Sequence, residues 1–148
     1  MTARISVNHF NQLLAETTPA AAYLGIRAER IEDGEAWARI GFSNAALRAG
    51  GTYSGPALMA LIDVCMYAAL LGAIGDDPRP LTTNMTVNFL NRPPARDLLA
   101  HCRFLARDSN LAVGSITVYP ETEEENVLCT STCTYALPAM SKINASAP

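Results

Sequence analysis

Positive charge is scarce in this sequence. Lysine and arginine together number 11 among 148 residues, the formal net charge at pH 7 is −3, and the basic residues form no cluster. Proteins that bind nucleic acid concentrate positive charge against phosphates, so this composition argues against a nucleic-acid partner. The hydrophobic share of 49% instead predicts one globular domain with a sizeable core.

Metal-binding and disulfide patterns are also missing. The only histidines, His9 and His101, lie far apart, and the four cysteines form no Cys-x-x-Cys motif. We therefore expect no metal and no cofactor. Two of the cysteines lie within apolar runs, and we interpret all four as reduced core residues of a cytoplasmic protein. The first residues lack the hydrophobic stretch of a secretory signal, which agrees with that location.

The segment between Arg48 and Asp76 contains a single charged residue, Asp63. Its apolar run at 56–74 is 19 residues long, close to the length of a membrane span. An aspartate at the centre of a membrane helix would cost roughly 2.5–3.5 kcal/mol, and no polybasic flank would orient the span. A helix that is apolar on every side is also typical of a protein core. We favour a buried soluble helix over 54–74, ended by Gly75.

Strand patterns lie on both sides of this helix. An Asp-Gly turn at 33–34 predicts a hairpin before it, and alternating apolar residues predict three or four strands after it. Short helices are expected after Ser6 and over 19–24. The predicted strands are 26–31, 35–42, 81–90, 98–106, 111–119 and 127–137. We predict an α+β domain over 1–137, in which a curved antiparallel sheet wraps the long helix, and a flexible tail at 138–148.

The position of Asp63 is unusual for an acidic residue. Its neighbours one helical turn away are apolar except for Tyr67, the only local hydrogen-bond partner on that face. A buried carboxylate costs several kcal/mol unless it is compensated, and perturbed acids cluster at functional sites. We favour a catalytic role over a structural polar contact. Met59 and Met66 are better explained as core residues than as pocket residues.

The start of the long helix offers a second group that could take part in catalysis. Ser54 is a good N-cap, and the backbone N–H of Gly55 is left unused at the helix N-terminus, where it could hold an oxyanion. Nine helical residues separate Ser54 from Asp63, which is about 13 Å along the helix axis. One carbonyl carbon cannot contact both groups. If both act on one substrate, they come from different chains of a dimer.

The strand after the helix alternates in polarity, so we expect its side chains to divide between two faces. The two sets are Thr83, Met85, Val87 and Phe89 on one face, and Thr82, Asn84, Thr86 and Asn88 on the other.

Two segments of the chain together resemble a known family. They are GGTYSGPALMALIDVCMYAAL and TTNMTVNFLNRPP. Both are similar to hotdog-fold thioesterases of the phenylacetate-degradation (PaaI-like) branch, in the 4-hydroxybenzoyl-CoA thioesterase superfamily. The similarity extends over about 26–137, and it implies a hotdog fold with five to six strands and an acyl-CoA substrate.

The resemblance implies a role for three residues. Asp63 stands at the position of the family's catalytic acid, which acts as general base or nucleophile. Gly55 stands where a backbone N–H polarises the thioester carbonyl, and Thr82 where a hydroxyl helps to place the attacking water. In the family the acid and the hydroxyl come from one subunit and the glycine from its partner, which agrees with the distance argument.

The sequence departs from the family pattern at the rim of the site. Ser54 replaces a histidine, Pro56 replaces a glycine, and Arg48 stands where an asparagine is common. Arg48 either meets an acidic group of the substrate or is a solvated loop residue. The candidates for substrate binding are Ser54, Arg48, Tyr67, Arg92 and Arg107, with Arg96 as a further basic residue.

We expect an acyl-CoA thioesterase with composite sites in a homodimer, or in a tetramer built as a dimer of such dimers. The alternative is a hotdog module that binds acyl-CoA without turnover, and the loss of the histidine at Ser54 favours it. A hotdog dehydratase would use an Asp/His pair, but neither histidine lies near Asp63 in the sequence.

Overall fold

The computed structural model describes residues 2–138, which contain three α-helices, a short 3₁₀ turn and six β-strands. The predicted flexible tail lies, apart from Pro138, outside the described residues. The elements are, in chain order, α1 (Val7–Thr17), α2 (Pro19–Tyr23), β1 (Ile26–Glu32), β2 (Glu35–Ile40), the 3₁₀ turn (Asn44–Ala46), α3 (Gly55–Ile74), β3 (Leu81–Phe89), β4 (Leu98–Arg107), β5 (Leu111–Pro120) and β6 (Cys129–Ala136).

The strands form one antiparallel sheet in the order β1-β2-β4-β5-β6-β3. The predicted hairpin joins β1 to β2, and Gly34 has the positive φ of 76° that such a turn requires. Because β1 and β3 each pair on one side only in the part of the chain that the structure describes, they are the sheet edges there. The predicted α+β hotdog fold, with six strands and a long central helix, is confirmed.

Helix α3 is the core around which the sheet curves. The Ser54 side chain accepts a hydrogen bond from the Ala57 N–H, and Gly75 ends the helix with a φ of 91°. The helix is long and apolar enough to cross a membrane, but 72% of that window is buried inside the fold. Burial by the sheet explains why the helix is apolar on nearly every side.

Helix α1 lies against the sheet and against the middle of α3. The Ser6 side chain accepts a hydrogen bond from the His9 N–H, as a capping serine does, which confirms the predicted helix start. Phe10 and Leu14 are buried, and the Phe10 ring centroid lies 5.8 Å from that of Tyr67. The first helix is thereby joined to the same stretch of α3 that contains Asp63.

All four cysteines are buried and free of disulfides, as predicted. Cys65 contacts the backbone carbonyl oxygens of Ala36 and Ala100, each 3.4 Å from its sulfur. Burial raises the pKa of the Cys65 thiol to about 12, so it stays protonated near neutral pH. The cysteines serve as small apolar core residues.

The prediction for the methionines is half right. Met66 is fully buried, but Met59 is 41% exposed and is not a core residue in the single chain. Met59 lies in the first two turns of α3, where the sheet does not cover the helix completely. The hydrophobic pattern could not reveal this, because burial there depends on how far the sheet extends along the helix.

Candidate active site

Asp63 lies in the middle of α3, half-buried, and it is hydrogen-bonded by two strand side chains. Its Oδ1 accepts a bond of 2.9 Å from the Thr82 hydroxyl and one of 2.7 Å from the Tyr135 hydroxyl. Both donors come from the sheet rather than from Tyr67, the partner that the helical spacing offered. Within residues 2–138, no hydrogen bond reaches Oδ2, so that oxygen remains available to a reactant.

A β-bulge determines where Thr82 points. Thr82 pairs with Tyr135, whereas Asn84 pairs with Thr134, so the register shifts by one residue between them. Side chains alternate along a strand, and a shift of one residue therefore moves Thr82 to the opposite face from Asn84. The expectation that Thr82, Asn84, Thr86 and Asn88 share one face is wrong at Thr82. The bulge turns the hydroxyl inward, toward Asp63.

Tyr135 is a site residue that the sequence analysis did not identify. It lies on β6 directly opposite Thr82 and is 5% exposed. Burial, together with the negative charge of Asp63, raises the pKa of the Tyr135 hydroxyl above its usual range, so the group remains a proton donor at neutral pH. The alternation of β6, which buries Ser131, Cys133 and Tyr135, is a signal that could have placed this tyrosine inside.

A cavity of about 300 Å³ adjoins the carboxylate, and we refer to it as the Asp63 cavity. It is lined by α1, the middle of α3, the 78–82 segment and Tyr135. The rings of Tyr67 and Tyr135 are nearly parallel there, with centroids 6.1 Å apart. Of the predicted site residues, Asp63, Thr82 and Tyr67 come together in this cavity.

A second cavity of about 400 Å³ lies at the start of α3, and we refer to it as the Gly55 cavity. Its lining includes Gly55, Arg48, Arg92 and Phe89. The Gly55 N–H belongs to the first turn of α3, where backbone donors have no partner within the helix. Gly55 and Asp63 therefore line different cavities of one chain, as their separation along the helix predicts.

The structure places some of the remaining predicted binding residues near the start of α3 and others away from both cavities. Arg92 donates a hydrogen bond of 3.2 Å to the Gly50 carbonyl oxygen, which places its guanidinium beside the loop that precedes α3. Ser54 acts as the N-cap. Arg96 pairs with Glu123, and Arg107 lies 3.8 Å from Asp33 at the hairpin turn. The structure brings neither Arg96 nor Arg107 to either cavity.

Comparisons with known proteins agree on one fold. A presumed thioesterase from Silicibacter sp. TM1040 is 33% identical over 93% of this chain and 95% of its own, with a TM-score of 0.83. The N33D mutant of the phenylacetic acid degradation protein PaaI from Thermus thermophilus is 18% identical over 81% of this chain and 99% of its own, with a TM-score of 0.71. A hypothetical thioesterase from Streptococcus pneumoniae, solved with coenzyme A, is 17% identical over 85% of this chain and 97% of its own, with a TM-score of 0.73.

The fold and the 33% identical neighbour define a hotdog thioesterase. A model of the thioesterase superfamily matches residues 50–127, which is more than half of the chain and includes α3 and β3 to β5. The chain belongs to the thioesterase superfamily, and it is a thioester hydrolase. No curated protein sequence matches it significantly.

Proposed function

We propose that this protein hydrolyses acyl-coenzyme A thioesters to a carboxylic acid and free coenzyme A. The observation that carries the proposal is the half-buried Asp63 with its two hydroxyl donors on one oxygen. The relative from S. pneumoniae that was solved with coenzyme A supports this class of ligand. So do Arg48 and Arg92, since guanidinium groups suit phosphates.

The active site is proposed to form between two copies of the chain. Edge strand β3 has no neighbour on its outer side among residues 2–138, and Leu81, Phe89 and Leu90 are more than half exposed there. An open, apolar strand edge favours pairing with another chain. A dimer through this edge would place the Gly55 cavity of one copy next to the Asp63 cavity of the other, and pairing of such dimers would give the tetramer.

The reaction follows from the groups that the composite site would hold. The Gly55 N–H of one copy, aided by the helix dipole, stabilises the oxyanion that forms as the carbonyl carbon is attacked. Asp63 Oδ2 of the other copy takes a proton from the attacking water, and that proton passes to the sulfur when the carbon–sulfur bond breaks. Direct attack by Asp63, followed by hydrolysis of the anhydride, is the second route. Thr82 and Tyr135 orient the carboxylate in both.

The proposal is tested by thiol release from coenzyme A esters with acetyl, octanoyl and phenylacetyl groups. General-base catalysis contributes roughly 10²–10⁴-fold, so Asp63→Asn should lower kcat by at least about two orders of magnitude. Asp76→Asn is the matched control, because it makes the same change just beyond α3 and outside both cavities. Full activity of Asp63→Asn would refute the assignment. A folded wild type that binds these esters without releasing thiol would favour the binding module, with Ser54 as the reason.

A cytoplasmic location is also part of the proposal. Four free, buried cysteines suit a reducing compartment, where disulfides are rare. Fractionation of cells that express the protein from its own promoter would check this location.

A further inference from the structure

Tyr67 lies one helical turn beyond Asp63, on the same face of α3. It borders the Asp63 cavity, and from the sequence we expected it to bind substrate. The hydrogen bonds to the Asp63 carboxylate come from Thr82 and Tyr135 rather than from Tyr67. Tyr67 instead contacts one of these two donors, because its ring lies against that of Tyr135.

The rings of Tyr67 and Tyr135 are stacked. Their planes differ by 13° and their centroids lie 6.1 Å apart, an offset arrangement that aromatic rings favour. Tyr135 is 5% exposed, and its hydroxyl lies 2.7 Å from Asp63 Oδ1. Because the hydroxyl of a tyrosine is at the far end of its ring, a small rotation of the Tyr135 ring would break this bond. The Tyr67 ring limits that rotation.

Helix α1 holds Tyr67 in place. The fully buried Phe10 ring lies with its centroid 5.8 Å from that of Tyr67. The Asn11 side chain, the next along α1, donates to the Ala28 carbonyl oxygen at 3.0 Å and accepts from the Ala28 N–H at 2.8 Å. These two bonds fasten α1 to β1 much as a neighbouring strand would. A movement of Tyr67 toward α1 would therefore press on a buried ring that is itself anchored.

The Tyr67 hydroxyl lies in a different environment from the Tyr135 hydroxyl. Burial, followed by the negative charges of Asp76 and Asp77, raises the pKa of Tyr67 above its usual value. Asp76 and Asp77 follow the end of α3, so the Tyr67 hydroxyl faces that end of the helix. The ring of Tyr67, and not its hydroxyl, is the part that contacts Tyr135.

We infer that Tyr67 is a positioning residue, whose ring keeps the Tyr135 hydroxyl on Asp63 and thereby keeps the acid oriented. The inference rests on the proposed function and adds a residue to it. Asp63 and Tyr67 lie four residues apart on one helix, so helix geometry fixes their separation at about 6 Å along the axis. The helix thus provides both groups that the Tyr135 side chain contacts, the acid and the ring that steadies its donor.

A double-mutant cycle between Tyr67 and Tyr135 tests this role with the coenzyme A esters named above. Tyr67→Leu removes the ring, so kcat should fall by about threefold or more while KM stays nearly constant. Tyr67→Phe keeps the ring and should retain the wild-type kcat. In the Tyr135→Phe background, Tyr67→Leu should change kcat by less than about twofold, because the hydroxyl that the ring steadies is already absent.

Tyr23→Leu is the matched control. Tyr23 is 76% exposed at the end of α2 and lines neither cavity, so the same change there should leave both kcat and KM at their wild-type values. Thermal melting checks that each variant folds. If Tyr67→Leu does not fold, Tyr67→Met takes its place in the cycle, because the flexible methionine side chain fills irregular space.

Several results would overturn the inference. An unchanged kcat in Tyr67→Leu would mean that the ring is not needed, and equal losses in Tyr67→Phe and Tyr67→Leu would assign the effect to the hydroxyl. A higher KM with an unchanged kcat would make Tyr67 a substrate contact. If the losses in the double variant multiplied, Tyr67 would not act through Tyr135.

A measurement without turnover separates this role from the proposed reaction. If no ester releases thiol, the proposed function fails, and NMR of the protein labelled with carbon-13 at tyrosine Cζ then decides about Tyr67. In equal parts of H2O and D2O, a hydroxyl that exchanges slowly gives two Cζ resonances, and one that exchanges fast gives a single averaged resonance. The Tyr135 signal is assigned by its absence from Tyr135→Phe.

We expect two Tyr135 resonances in the wild type and in Tyr67→Phe, because the hydroxyl is held on Asp63 away from water. Tyr67→Leu should give one resonance, because the released hydroxyl exchanges with solvent. Two resonances in Tyr67→Leu, or a single one in the wild type, would overturn the inference.

Discussion

Asp63 is held in place by residues that lie far away in the sequence. Thr82 and Tyr135 face each other across the β3–β6 ladder, and both donate to the same carboxylate oxygen. A hydrogen bond to a charged group is worth about 1.5–3 kcal/mol, so two of them restrict how the carboxylate can rotate. We expect this restriction to keep Oδ2 directed toward the reacting carbonyl group.

Tyr135→Phe tests this positioning role at the scale of one hydroxyl group. The variant keeps the ring and its packing but removes the shorter of the two bonds to Asp63. We expect kcat to fall by about tenfold or more, in line with the worth of one charge-assisted bond, while KM stays nearly constant. Steady-state thiol release over a range of ester concentrations measures both values.

Tyr119→Phe is the matched control for that variant. Tyr119 is also a nearly buried tyrosine of the sheet, but it lies on β5 and does not line the Asp63 cavity. The control should keep the wild-type kcat, and thermal melting checks that both variants fold. If Tyr135→Phe had the same kcat as the wild type, the Thr82 hydroxyl alone would be sufficient to orient the Asp63 carboxylate.

The contact between α3 and β1 depends on a glycine. Gly72 lies in the last turns of the central helix, where a Cβ atom would collide with the backbone carbonyl oxygen of Glu32 and press on the Ile31 side chain. A backbone oxygen in a hydrogen-bonded strand cannot move aside as a flexible side chain can. The absence of a side chain at Gly72 therefore allows the helix to approach the hairpin closely.

Gly72→Ala should destabilise the fold by about 1–3 kcal/mol, because overpacking forces the backbone to shift. In an open helix position the same change would stabilise by up to about 1 kcal/mol, so the sign of the effect is diagnostic. Urea unfolding followed by circular dichroism measures it. Gly41→Ala is the control, because the nearest atom to a Cβ there is at an ordinary 3.8 Å. A more stable Gly72→Ala protein would contradict the close approach.

The β-bulge in β3 determines which side chain of that strand reaches Asp63. Without the bulge, Thr82 would lie on the same face as Asn84, on the side away from Tyr135. The bulge moves only the first residues of the strand and leaves the pairing of Met85, Val87 and Phe89 with β6 in register. It thereby brings a hydroxyl to Asp63 without disturbing the rest of the sheet.

A single chain cannot catalyse the reaction by itself if Gly55 and Asp63 act on the same carbonyl group. Mixing two inactive variants tests this directly. Asp63→Asn removes the acid, and Gly55→Pro removes the N–H. Proline is tolerated in the first helical turn, and Ser54 already has the extended conformation (φ −74°, ψ 150°) that precedes proline. Because Pro56 follows directly and disfavours a helical residue before it, thermal melting first checks that Gly55→Pro folds.

Each variant alone should be nearly inactive. After unfolding and refolding together, half of the dimers contain one chain of each kind, and each of these has one intact site, so about a quarter of the wild-type activity should return. Thiol release before and after mixing measures the recovery, and separately refolded variants are the control. No recovery, with mixed dimers demonstrated by mass spectrometry, would mean that each site belongs to a single chain.

Local patterns in the sequence were sufficient to determine most of the elements. Hydrophobic spacing, Ser54 and Gly75 predict α3, and the Asp-Gly turn predicts the first hairpin, because caps and turns depend on neighbouring residues. An isolated acid in an apolar helix likewise predicts Asp63 as the catalytic acid, and the assay of Asp63→Asn tests that prediction. These features required no knowledge of which strands pair.

Only the tertiary structure decided what surrounds that acid. The inward turn of Thr82, the partnership with Tyr135 and the exposure of Met59 all depend on strand register and on how far the sheet covers the helix. Tyr135 lies 72 residues beyond Asp63, and no local pattern links two residues at that separation. The sequence by itself therefore determined the helix and its acid, because short-range forces specify them, whereas the contacts that orient the acid arise only when distant strands pack together.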